Sequence, residues 1–156
     1  IFKLPEDLST EAVIGAGCAL NTAIHGIERM GIEWRDTVVV QGAGPVGIAA
    51  LAVARNAGAS RVIVIGAPAS RLAMARRFGA DFVINIDEVK SPADRIEEVR
   101  RLTGGYGADA VLECVGAPGV PRSPSICASL GRDLAAFNLR AQARTSAAIC
   151  RRAPRA

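Results

Sequence analysis

A doubly wound α/β fold, a parallel sheet with helices on both of its faces, is predicted by three features of this sequence. Short runs rich in β-branched residues recur through the middle of the chain. Helix-like stretches, with proline near the start or glycine after the end, separate those runs. One strand-to-helix junction reads Gly42-Ala43-Gly44-Pro45-Val46-Gly47. Strand and helix in repeated alternation build a layered sheet, because a strand that returns parallel to its neighbour needs a crossover, usually a helix.

Residues 1–36 form a lead-in that is expected to be helical. The strand candidates are Thr37–Gln41 (TVVVQ), Arg61–Ile65 (RVIVI), Asp81–Asn85 (DFVIN) and Asp109–Cys114 (DAVLEC). Each is close to continuously apolar rather than alternating, the pattern of a strand covered on both faces. Between them, Pro45–Ala57 starts with proline and is followed by Gly58, and Ser70–Phe78 is followed by Gly79. The third helix, Ser91–Leu102, opens with Ser91 as N-cap, Pro92 at the first helical position and Asp94 near the positive end of the dipole. Ile96, Val99 and Leu102 line one of its faces. These elements place a partial Rossmann-like domain in residues 1–120.

After Val120 the pattern stops. The tail, residues 121–156, is rich in Arg, Ala and Ser and has no run of β-branched residues. Leu130–Ala143 has the spacing of an amphipathic helix, and nothing in the tail supplies a fifth or sixth strand. The sheet is therefore expected to be incomplete, with an irregular C-terminal tail that is either the product of a shifted reading frame, or disordered, or a true basic extension. The opening residues lack both an initiator Met and the basic-then-apolar character of a signal peptide, so Ile1 is expected to be an internal point of a longer chain.

Composition excludes several classes. Half of the 156 residues are hydrophobic and 22% are charged, ordinary for one folded domain. The longest apolar run, Ile48 to Ala54, falls far short of the roughly 20 residues a membrane helix needs. The net charge of +4 is uneven: residues 1–121 carry 12 Lys and Arg against 14 acids, and residues 122–156 carry seven Arg against one Asp. That basic excess sits beside a single aromatic, Phe137, so stacking on nucleic-acid bases is not expected. Cys18, Cys114, Cys127 and Cys150 form no C-x-x-C and no disulfide framework, which suits a reducing cytoplasm.

The glycine junction carries the chemistry. Gly42 permits a tight turn, Gly44 leaves room for a pyrophosphate, and Gly47 lets the following helix sit close on the sheet. The helix N-terminus, with Pro45 and Val46 in its first turn, offers unpaired amides and partial positive charge to phosphates. A glycine turn kept only for packing is the plain alternative, but a strand before and a helix after favour a dinucleotide. About 20 residues on, where an acid normally bonds the adenosine ribose, the chain has Gly66. A carboxylate there would repel a 2′-phosphate, so its absence permits NADP, and Arg71 is placed to pair with that phosphate. The reading therefore leans to NADP over NAD; Arg71, Arg76 and Arg77 as a solvated helix face is the alternative.

Upstream, the stretch GAGCALNTAIHGIERMGI followed by a strand and GAGPVG resembles the medium-chain, zinc-dependent alcohol dehydrogenase family, from about Leu4 to Val120. The resemblance implies that Cys18 is a ligand of a catalytic zinc, with the other ligands outside this chain. It implies that Thr22 contacts the nicotinamide end, that Val46 lies beneath the nicotinamide ring, that Arg71 lies near the adenosine ribose and that Gly116 falls in a loop along the cofactor. Read from the residues alone, Cys18 is more readily a small core residue than a ligand, His25 a structural histidine, and Glu113 and Cys114 packing features at a strand end. The implied reaction is hydride transfer between a small alcohol and NAD(P), with no nucleic-acid or membrane partner, homo-oligomers only of the intact protein, and no turnover by this chain alone. A zinc-free enone or quinone reductase of the same superfamily, a non-catalytic nucleotide-binding module and an S-adenosylmethionine-binding fold are the other readings.

Overall fold

The computed structural model describes residues 3–116 and 134–136. Its elements run α1 (Thr10–Met30), β1 (Thr37–Gln41), α2 (Pro45–Asn56), β2 (Arg61–Gly66), α3 (Ala69–Arg77), β3 (Phe82–Asn85), α4 (Pro92–Leu102), β4 (Ala110–Glu113) and β5 (Leu134–Ala136). The strands form one parallel sheet in the order β3-β2-β1-β4-β5. The chain thus builds outward from β1 through β2 and β3, then crosses back to place β4 on the other side of β1. The order reverses at β1, with β2 on one side and β4 on the other, and open α/β sheets bind ligands in the crevice at such a switch point.

Alternation along the strands divides the core into two layers. Val38, Val40, Val62, Val64 and Leu112 pack with Ala23, Ile27 and Met30 of α1, Ala50, Leu51 and Ala54 of α2, and Leu72 and Ala75 of α3. Val39, Ile63, Ile65, Ile84 and Val111 face the other way, with Val99, Ile96 and Leu102 of α4. Both faces of β1 are therefore covered, which is why its sequence is apolar without alternation.

Local signals explain the ends of the helices. Ser9 caps α1 by accepting from the Ala12 amide at 3.2 Å, and Gly31 ends it in the left-handed conformation. At Gly17 the backbone leaves helical geometry (φ −38°, ψ −106°), and the Asn21 side-chain amide donates to the Gly17 carbonyl at 2.9 Å. Ser91 stands at the N-cap of α4, but its hydroxyl makes no capping bond, so proline geometry at Pro92 sets that start. Farther along α4, a hydrogen bond from Arg101 holds the Glu98 carboxyl below its ordinary range.

Two carboxylates at the other end of the sheet tie neighbouring strands together. Asp81, just before β3, accepts from the Val62 amide of β2 at 2.7 Å, and Asp109, just before β4, accepts from the Thr37 amide of β1 at 2.9 Å. Each satisfies an amide at the start of the adjacent strand that the ladder leaves unpaired.

The tail departs from expectation. Leu134–Ala136 is a fifth strand, parallel to β4 with Val111 opposite Leu134, where the spacing suggests a helix over Leu130–Ala143 and no further strand. Pairing with the free edge of β4 satisfies main-chain groups whatever the local propensity, so a Leu-Ala-Ala segment serves. The expected frame shift or disorder of the rest of the tail lies outside the described residues.

Candidate functional site

The loop between β1 and α2 is built by backbone contact. Gly42 has φ +108°, a conformation side chains rarely adopt, and its amide donates to the Ile65 carbonyl at 2.7 Å. A Cβ on Gly47 would overlap the Gly42 carbonyl oxygen, so this helix can approach the turn only with glycine there. At Gly44, by contrast, a Cβ would meet nothing within 4 Å. Space is therefore open at the one glycine of the three where a ligand needs it.

Electrostatics at this point favour an anion. The first hydrogen bond inside α2 runs from the Ile48 amide to the Gly44 carbonyl at 2.9 Å, which leaves the Val46 and Gly47 amides ahead of it without an intrahelical acceptor. Gly44, the N-cap, has no side chain to serve them, and the first turn contains no acid. Pro45 contributes no N–H, and its ring fixes the first helical residue. A diphosphate fits this arrangement: it brings negative charge and acceptor oxygens to amides that have no other partner among the described residues.

The walls of the crevice come from the ends of β2 and β4. Gly66 ends β2, and a Cβ there would stand 2.9 Å from the Ala43 nitrogen and from the Ala43 Cβ. Glycine at this position thus has a packing reason of its own, independent of any cofactor preference. After β4, a Cβ on Gly42 would lie 3.1 Å from the Cys114 carbonyl and 3.2 Å from Val115 Cγ2, so the turn leading to Gly116 backs directly onto the glycine loop. Gly116 itself has φ +67°. Burial pushes the half-buried Cys114 thiol up to about 12, with help from the neighbouring Glu113 charge.

Gly42, Gly44, Pro45, Val46, Gly47, Gly66 and Gly116 are therefore gathered at one edge of the sheet. Arg71 lies in the exposed first turn of α3, which has no acid, and forms no ion pair among the described residues. Cys18 and Thr22 stand one helical turn apart on α1, Cys18 exposed and Thr22 half-buried, and no hydrogen bond among the described residues joins them to the loop. His25 is exposed on the same helix. Among the described residues no three His, Cys, Asp or Glu side chains gather as a metal site. By themselves these residues do not fit zinc. Ala43 and Glu113 are parts of the site that the sequence motif does not single out; an acid ending a buried strand is the one visible signal for Glu113.

A parallel sheet with this strand order, and a glycine turn feeding a helix at its switch point, defines a Rossmann-like α/β domain. The family profile described as zinc-binding dehydrogenase matches residues 45–134, and the chain belongs to that family. The match continues past Val120, where the sequence pattern stops, into β5. The chain is 41% identical over 133 residues to 5-exo-hydroxycamphor dehydrogenase of Pseudomonas putida, covering 84% of this chain and 37% of that protein. It is 40% identical over 114 residues to erythritol/L-threitol dehydrogenase of Mycolicibacterium smegmatis, covering 72% and 30%. Among solved structures, an alcohol dehydrogenase from Thermus sp. ATN1 superposes with TM-score 0.73 at 35% identity, covering 88% of this chain and 39% of that one. The chain spans about a third of the length of the curated relatives it matches. No helix among the described residues is long and apolar enough to cross a membrane.

Proposed function

We propose that this chain is the cofactor-binding part of a zinc-dependent, NAD(P)-linked alcohol dehydrogenase, a partial dinucleotide-binding domain with residues 1–36 as its lead-in and β5 as the last described strand of its sheet. The N-terminus of α2 carries this reading: two amides without intrahelical acceptors, no competing acid, and open space at Gly44, all at the switch point of the sheet. Relatives named for hydroxycamphor, erythritol, threitol and sorbitol support a small alcohol, or the matching carbonyl, as substrate.

When bound, the nicotinamide supplies hydride transfer to or from the substrate carbon. The residues of this chain bind and orient. Amides around Gly44 and Val46 hold the diphosphate, Gly42 and Gly47 bring loop and helix close enough to do so, and Thr22, Val46 and Gly116 border the nicotinamide half. Arg71, in a first turn free of acids, favours the extra phosphate of NADP. Gly66 no longer argues for NADP, because packing against Ala43 accounts for it. Cys18 is one ligand of a zinc whose other ligands lie outside this chain, so the isolated chain does not oxidise alcohols.

Titration of the folded chain with NADH and NADPH, followed by fluorescence or calorimetry, tests this. Binding of both, with NADPH tighter, is expected; a folded sample that binds neither removes the assignment. Alcohol turnover by the isolated chain with zinc and cofactor added would contradict its incompleteness, and zinc analysis of an intact parent separates this reading from a zinc-free reductase.

A further inference from the structure

Glu113 is the last residue of β4, between β1 and β5 in the sheet, and only 1% of it is exposed. The three β4 residues before it are apolar, and a buried carboxylate is costly unless its oxygens find donors. One oxygen does: Oε1 accepts from the Val115 amide at 2.6 Å and from the Gly116 amide at 3.2 Å. The other, Oε2, is the one fully buried side-chain nitrogen or oxygen among the described residues without a hydrogen-bond partner. A carboxylate half satisfied in the middle of a sheet gives less stability than an apolar side chain of the same size, so the grip on the two amides calls for a reason other than stability.

The position of the gripped turn supplies one. Cys114 and Val115 form the surface against which Gly42 is seated, and the Cys114 amide donates to the Gln41 carbonyl at 2.8 Å. The conformation of residues 114–116 therefore sets where the first glycine of the anion-binding loop stands. Without the carboxylate, the Val115 and Gly116 amides lose a charged acceptor, and the turn loses what defines its direction.

We propose that Glu113 is a positioning residue for the dinucleotide, acting through the amides of Val115 and Gly116 on the turn that backs Gly42. This rests on the nucleotide-binding reading above. It concerns the half of the crevice between β1 and β4, which a dinucleotide spans and which AMP, held at the β2 side, does not reach.

The test compares NADH and AMP binding to the full chain carrying Glu113→Met or Glu113→Gln, each at a temperature where circular dichroism shows it folded. Glu113→Met should weaken NADH by about tenfold or more, a common size for coupling through a second residue, and leave AMP within about twofold. Glu113→Gln keeps an acceptor oxygen for the two amides and should bind NADH within about threefold of the parent. Should Glu113→Met not fold, hydrogen exchange in the unaltered chain decides: NADH should slow exchange of the Val115 and Gly116 amides, and AMP should not. Unchanged NADH affinity in folded Glu113→Met, equal loss of AMP and NADH, or exchange at Val115 and Gly116 that ignores NADH would each overturn the proposal. Absence of NADH binding by the unaltered chain would instead overturn the nucleotide reading beneath it.

Discussion

A Cβ placed on Gly66 would stand 2.9 Å from both the nitrogen and the Cβ of Ala43, so the end of β2 and the glycine loop after β1 meet backbone to backbone. Any side chain at this position must displace the loop or the strand. Gly66→Ala is therefore expected to destabilise the fold by about 1–3 kcal/mol, the usual range for overpacking. Urea unfolding measures it, and a variant as stable as the parent would show that the junction has slack. Gly66→Asp carries the same steric cost, so it cannot serve as a clean switch of cofactor preference.

Gly44 and Gly47 should separate binding from folding. Gly44 has an ordinary φ of −80° and open space around its Cβ position, so Gly44→Ala should keep stability within about 0.5 kcal/mol of the parent. Its methyl group stands where a diphosphate approaches, and NADH affinity should fall by about tenfold or more, equivalent to roughly 1.4 kcal/mol. Gly47→Ala collides with the Gly42 carbonyl and should lose both stability and binding. Full NADH affinity in Gly44→Ala would place the phosphates elsewhere.

Arg71 offers a test of the proposed preference for NADP. Its guanidinium is exposed in a first helical turn without acids, free to take a phosphate bidentately. Arg71→Ala should weaken NADPH by about tenfold, the scale of one charged hydrogen bond, and leave NADH nearly unchanged. Equal effects on both would remove the preference for NADP.

Cys114 predicts a pH dependence with a definite sign. Its thiol is pushed up to about 12 in the fold from an ordinary 9.0. Between those values the folded chain keeps a proton that the unfolded chain has released, so this contribution is complete below about pH 9 and declines as pH rises towards 12. The stability difference between the parent and Cys114→Ala, measured in urea at neutral pH and near pH ~10, should therefore shift against the parent at the higher pH. A pH-independent difference would mean that the thiol is not desolvated. In the native chain, exposed Cys18 should be alkylated well before Cys114.

Much of this molecule is legible in the linear chain because its strands are buried on both faces and its helices carry their own stops. Thr37–Gln41 has the same limits in the sequence pattern and in the sheet, while β2 gains Gly66, β3 begins after Asp81, and β4 loses Asp109 at one end and Cys114 at the other. Those acids look like strand residues until the ladder shows them satisfying a neighbouring strand instead. β5 is illegible for the opposite reason. Leu-Ala-Ala has no strand signal, and its conformation depends on the open edge of β4.

The sequence by itself determined the layered α/β class, the glycine turn and the polarity of the helix end, since these follow from apolar continuity, φ freedom and peptide dipoles within a few residues. Only the tertiary structure decided that Gly66 is required by Ala43, that Cys114 and Val115 back onto Gly42, and that Glu113 is sealed in the sheet with one oxygen unpartnered among the described residues. Those facts are contacts between segments far apart in the chain, and strand order, which brings β2 and β4 to either side of β1, is what creates them.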